Sequence, residues 1–124
     1  MGRAFPYNRA RTPPAPVLPV RIAGPNRSAG AAAPALVDTG ADLSVIPAAL
    51  ARDLRLAAVG TLRVRGVTGI ERVPLYAVEL EVAGLAVTLP MAAIGTHLLI
   101  GRDVLNRWTL RLRGPEETLE WEAS

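Results

Sequence analysis

The sequence predicts an all-β domain, and three observations carry that expectation. Apolar residues recur with a period of two, glycine and proline punctuate the chain between these stretches, and the segments that favour helix are short. In Leu62-Arg63-Val64-Arg65, in Val78-Glu79-Leu80-Glu81-Val82 and through Leu85, Val87 and Leu89, every second side chain is apolar. That is the pattern of antiparallel strands with one buried face and one wet face. Gly66-Val67-Thr68-Gly69 and Ala83-Gly84 supply the reversals between them.

Taken in order, residues 1–16 hold Pro6, Pro13, Pro14 and Pro16 among arginines, which leaves little to pair or bury and predicts a flexible, extended arm. A single domain over residues 17–124 follows. Val17 to Ile22 alternates as a strand, with Val20 and Ile22 opposite Arg21. Gly24, Pro25, Asn26 and the run Ser28 to Pro34 read as a long hairpin connection returning into a strand at Ala35-Leu36-Val37. Leu43 to Ile46 is a second short apolar run, and Pro47 is suited to open a helix over Ala48 to Leu54, with Leu50 and Leu54 on one face. Leu98-Leu99-Ile100 is continuously apolar, as in a strand buried on both faces. Gly101 permits close backbone approach, and Arg102 to Trp108 is long enough for two helical turns. At the C-terminus a hairpin spans residues 109–122. A Gly114-Pro115-Glu116-Glu117 loop sets Arg111 opposite Glu120, Leu112 opposite Leu119 and Leu110 opposite Trp121.

Composition narrows the chemistry. At 124 residues the chain forms one domain, near the size at which a partner subunit adds much of the stability. There is no cysteine, which excludes a thiol nucleophile and a disulfide scaffold. His97 is the only histidine, so a Cys/His zinc site is out of reach and a serine triad would have to be built around one imidazole. Chemistry must rest on carboxylates, with no metal or organic cofactor expected. All 14 basic residues are arginine, and Arg3, Arg9, Arg11, Arg21 and Arg27 precede the first acid. The basic arm lacks the interleaved aromatics that stack bases, so a solvated tail is expected and no nucleic acid. With no apolar run of membrane-spanning length, a soluble cytoplasmic protein is expected.

The stretch that concentrates this chemistry is Ala35-Leu36-Val37-Asp38-Thr39-Gly40-Ala41-Asp42-Leu43-Ser44-Val45-Ile46-Pro47. It sets a carboxylate where two apolar runs meet, and an ionised carboxylate in such surroundings costs several kcal/mol unless paired or hydrogen-bonded. Alone, Asp38-Thr39-Gly40 reads first as an Asx-turn in which Asp38 bonds its own backbone.

With Leu98-Leu99-Ile100-Gly101-Arg102-Asp103-Val104-Leu105 downstream, the chain resembles the retropepsin-like aspartic peptidases from about Val17 to Trp108. The resemblance implies a closed barrel of the acid protease fold, one lobe per subunit, with short helices after each motif. It implies that Asp38 is the catalytic acid, that the Thr39 hydroxyl bonds the partner's backbone, and that Gly40 and Ala41 leave room for substrate main chain. Asp42 would contact substrate backbone and pair with Arg102, while Ile100 and Gly101 support the turn. Gly66, Val67, Thr68 and Gly69 match the substrate-closing flap, although the retroviral flap has adjacent glycines and an isoleucine at its tip. Asp53 reads as a solvated charge, and His97 is given no role.

Peptide hydrolysis by carboxylates needs two acids sharing a proton, and this chain has a single Asp-Thr-Gly. The expected protein is therefore a homodimeric endopeptidase with Asp38 from each subunit on the two-fold axis, active on the acidic side of neutrality. Two rivals are a catalytically silent retropepsin-like dimerisation or peptide-binding module, and a nucleic-acid-associated protein using the arginine-rich arm. The C-terminal hairpin could either form the dimer sheet or cover its own subunit's core.

Overall fold

The computed structural model describes residues 2–25 and 29–123. In chain order the elements are β1 (Gly2–Pro6), β2 (Val17–Ala23), β3 (Gly30–Val37), β4 (Val45–Ile46), α1 (Ala48–Asp53), β5 (Ala58–Gly66), β6 (Gly69–Val82), β7 (Leu85–Ala93), β8 (Leu99–Ile100), α2 (Arg102–Leu105), β9 (Trp108–Arg113) and β10 (Thr118–Ala123). Six strands close a barrel in the order β2-β3-β8-β4-β7-β6, with β6 returning to pair with β2 through Arg21↔Glu81, Ile22↔Leu80 and Ala23↔Glu79. Closure removes the free edges that an open sheet of these strands would expose. The strand β5 lies outside the ring, paired only to β6.

Alternation explains which side chains fill the barrel. Leu18 and Ile22 of β2, Val78, Leu80 and Val82 of β6, and Met91 of β7 are buried against Ile46, Ile100 and Val104. Apart from Ser44 the buried side chains are apolar, and nearly all are aliphatic; Trp121 is the one aromatic among them, and its Nε1 has no hydrogen-bond partner among the described residues. Leu50 of α1 and Leu54, which caps its C-terminus, pack on this core from outside, as their spacing predicts. No helix among the described residues is long and apolar enough to cross a membrane.

Several elements differ from the sequence reading. The strand β3 begins at Gly30 rather than Ala35, because the small residues Ala31, Ala32 and Ala33 lie flat against Ile22, Arg21 and Val20. Part of the expected connection, Asn26 to Ser28, lies outside the described residues. The helix α2 stops at Leu105 instead of running to Trp108, since Trp108 enters β9 and packs edge-on against Trp121, with ring centroids 5.6 Å apart.

The largest difference is in residues 1–16. Instead of a free arm, Gly2–Pro6 forms β1 and pairs with β10 in a second, three-stranded sheet of order β1-β10-β9. Phe5 lies opposite Leu119 and packs on the core, and the Tyr7 amide donates to the Glu117 carbonyl at 2.9 Å. Arg9 closes the corner by pairing with the Glu117 carboxylate at 2.7 Å. Pro13, Pro14 and Pro16 fall in the following loop and Pro6 ends its strand, so none breaks the ladder. The C-terminal hairpin adopts the expected register, with Arg111↔Glu120, Leu112↔Leu119 and Leu110↔Trp121. Leu119 and Trp121 are buried in the subunit's own core, while Leu112 is 52% exposed.

Two contacts lock the segment after β3 onto α2. A Cβ on Gly101 would fall 2.7 Å from the Leu43 backbone and 2.9 Å from the Ala41 carbonyl oxygen, so the segments meet only because residue 101 is glycine. Beside it the fully buried Ser44 hydroxyl donates to Asp103 Oδ1 at 2.7 Å and accepts the Gly101 amide at 3.0 Å; the Ser44 amide donates to Asp103 Oδ2 at 3.0 Å. Ser44→Ala leaves the Gly101 amide and one Asp103 oxygen without this partner, and is expected to cost about 1–3 kcal/mol in urea unfolding. A change under about 0.5 kcal/mol, the level of an ordinary surface substitution, would contradict the role given to this hydroxyl.

Candidate active site

The turn at Asp38 is held from behind by backbone. Where β3 leaves the barrel, the Leu36 amide donates to the Leu98 carbonyl at 2.9 Å and the Asp38 amide to the Ile100 carbonyl at 3.0 Å. The chain then reverses, with the Ala41 amide donating to the Asp38 carbonyl at 3.2 Å and the Gly40 amide to Asp38 Oδ1 at 3.0 Å. The carboxylate therefore sits in an Asx-turn and keeps its position by accepting a backbone N–H. A Cβ on Gly40 would lie 3.3 Å from Asp38 Oδ1, so any larger residue would crowd the carboxylate.

The burial expected for Asp38 is only partial in the single chain. Ile100 behind the turn is fully buried, yet Val37 and Asp38 are half-buried and Thr39 and Gly40 are exposed. The apolar runs enclose the backbone that enters and leaves the turn, and the turn itself faces outward.

Arg102 grips the same turn from α2. Its amide donates to the Ala41 carbonyl at 2.9 Å, Nη1 donates to the Thr39 carbonyl at 2.7 Å, and Nη2 pairs with the Asp42 carboxylate. The side chains of this pair are 44% and 84% exposed, so the pair adds little Coulomb energy. Its value is geometric, since one planar guanidinium fixes a carbonyl and a carboxylate together.

Asp38, Thr39, Gly40, Ala41 and Asp42 thus converge with Ile100, Gly101 and Arg102. Gly66, Val67, Thr68 and Gly69 do not join them. They form the tip of the β5–β6 hairpin, where Gly66 and Gly69 pair and Val67 is fully exposed, and they share no hydrogen bond with the turn among the described residues. Asp53 is exposed on α1, as the sequence predicts for a solvated charge. His97 is exposed, with its Nδ1 3.1 Å from Arg11 Nη2. What the sequence reading misses is the bond between Ser44 and Asp103, although one signal marks Ser44: it is the lone polar residue in Leu43 to Ile46.

A family profile described as aspartyl protease matches residues 18–110. Among solved structures, the chain is similar to the EIAV protease complexed with the inhibitor HBY-793, with 26% identity over 82% of this chain and 92% of that one and a TM-score of 0.57. It is also similar to a retropepsin-like aspartic protease from Rickettsia conorii, with 14% identity over 99% of this chain and 91% of that one and a TM-score of 0.64. A search of curated proteins returns no match. The profile spans most of the chain and includes both the Asp38 turn and the Gly101 segment that holds it, and the chain belongs to the retropepsin-like aspartyl protease family.

Proposed function

We propose that the protein is a homodimeric aspartic endopeptidase in which Asp38 of two subunits activates one water. The observation that carries this reading is the engagement of every other acid near the turn. Asp42 is paired with Arg102, and Asp103 is held by the Ser44 hydroxyl and amide. Neither is free to act as a second acid within the chain, whereas the exposed face of Thr39 and Gly40 is open to a second copy.

In the assembled site the two Asp38 carboxylates share one proton. The ionised one takes a proton from water as the water oxygen bonds the scissile carbonyl carbon, and the protonated one gives its proton to the carbonyl oxygen. Collapse breaks the C–N bond, with the proton returned to the departing amine. Thr39 and Gly40 frame the carboxylates, Ala41 and Asp42 meet substrate main chain, and Arg102 with Gly101 and Ile100 holds the turn in register. The hairpin tip Gly66 to Gly69 closes over the bound peptide and excludes water.

Asp38→Asn is expected to lower kcat/KM on a mixed peptide library by on the order of 10³-fold or more, with the dimer retained in sedimentation. Residual cleavage within tenfold of wild type, or full activity in a monomer, would contradict the shared-acid reading. Val67→Asp tests the flap separately. Because Val67 is fully exposed, thermal stability should stay within about 0.5 kcal/mol while kcat/KM falls about tenfold or more. Unchanged kinetics would remove Val67 from the site.

A further inference from the structure

We infer that the exposed, arginine-bearing face of the β5–β6 hairpin is a docking surface for an acidic, extended segment of the polypeptide substrate, recognised by Arg63, Arg65 and Arg72. The inference rests on the peptidase reading for the identity of the partner, and on the hairpin's own geometry for the charge it selects.

The register sorts the hairpin into two faces. Leu62, Val64 and Val73 share one face and are half-buried or buried, with Leu62 opposite Val73 and Val64 opposite Glu71. On the other face Thr61 lies opposite Pro74, Arg63 opposite Arg72 and Arg65 opposite Ile70, and all six are exposed. Directly opposed residues in an antiparallel pair have Cα atoms about 4.5–5.5 Å apart, where like charges destabilise the sheet. The Arg63–Arg72 opposition therefore works against the hairpin's own folding. No acid relieves it on this face, because Glu71 alternates to the other side. None of the three arginines has an ion pair among the described residues, whereas Arg111 and Arg113 of the C-terminal hairpin pair with Glu116 and Glu120. Ile70, 52% exposed, and the two arginines of β5 line a shallow recess. Two unneutralised guanidinium groups lining a recess beside an exposed isoleucine, with a third opposite Arg63 on the neighbouring strand, favour an anionic partner.

The spacing and chemistry point to a peptide. Arg63 and Arg65 are two residues apart on one strand, the same roughly 6.5–7 Å repeat that separates alternate side chains of an extended chain. Acidic residues at alternate positions of such a chain would meet both arginines in one register. The six exposed residues of this face include no aromatic side chain on which a nucleic-acid base could stack, and Tyr76, the next residue of β6 on that side, is half-buried against the core.

The test uses the full-length Asp38→Asn protein, which binds without cutting, and a labelled twelve-residue peptide with glutamate at alternate positions. Its glutamine counterpart and an oligothymidine of equal length serve as comparisons, all measured by fluorescence anisotropy. At about 0.05 M salt the glutamate peptide should bind about tenfold or more tightly than the glutamine peptide. That advantage should shrink to near onefold at about 0.3 M salt and in a background of Arg63→Gln, Arg65→Gln and Arg72→Gln. Equal affinities for the two peptides, an advantage that survives the triple substitution, or tighter binding of oligothymidine would each overturn the inference. A second arm uses the wild type and compares kcat/KM for acid-flanked and glutamine-flanked substrates, a preference that the triple substitution should abolish. If the wild type cuts neither substrate while the arginine-dependent binding persists, the peptidase reading fails and the docking surface stands.

Discussion

A single buried hydroxyl, that of Ser44, sits where the two halves of the site are joined. It accepts the Gly101 amide and donates to Asp103, so the strand leaving the Asp38 turn and the helix after Ile100 hold each other through one polar knot inside an aliphatic barrel. The barrel supplies burial but little directionality, because branched aliphatic chains tolerate small shifts. Hydrogen bonds between buried groups do not, since any displacement leaves a donor or acceptor unsatisfied at a cost of about 1–3 kcal/mol. The glycine at 101 makes the knot possible by letting the backbones of Leu43 and Ala41 approach to a distance no Cβ would allow.

From that fixed point the Asp38 turn is specified outward. Backbone bonds from Leu98 and Ile100 set the end of β3, the Gly40 amide orients the carboxylate, and Arg102 ties the Thr39 carbonyl to Asp42. The layering is from buried and rigid to exposed and accessible. The two acids differ in engagement, since both are half-buried but Asp103 is held by the Ser44 hydroxyl and amide while Asp38 accepts the Gly40 amide alone among the described residues. The tip of the β5–β6 hairpin stands apart from this layering, because Gly69 to Pro74 of β6 pair with β5 and with neither β2 nor β7.

Much of this was legible in the sequence because its signals are local. Period-two alternation located β6 and β7, Pro47 located the start of α1, and charge and apolar matching across Gly114 to Glu117 gave the register of the C-terminal hairpin residue by residue. The resemblance carried by the two motifs implies the pairing of Asp42 with Arg102, and the structure contains that pair. What escaped was non-local. Nothing in Gly2–Pro6 announces that β10 will offer it an edge, and the alanines before Ala35 carry no alternation that would mark them as β3. Ser44 and Asp103 lie 59 residues apart, so their bond becomes visible only once the barrel has closed. The half-exposure of Asp38 had the same origin, because apolar neighbours in sequence did not distinguish burial of the backbone from burial of the carboxylate.

The central claim is that each catalytic unit draws one Asp38 from each of two chains, and mixed dimers test it most directly. Wild-type and Asp38→Asn chains, unfolded together in varying ratio and refolded at constant total concentration, distribute between like and unlike pairs. If the carboxylates are shared, activity follows the square of the wild-type fraction and an equal mixture retains about a quarter of full activity. Activity that falls in direct proportion, with about half remaining in the equal mixture, would mean that each chain holds a complete site, contradicting the account.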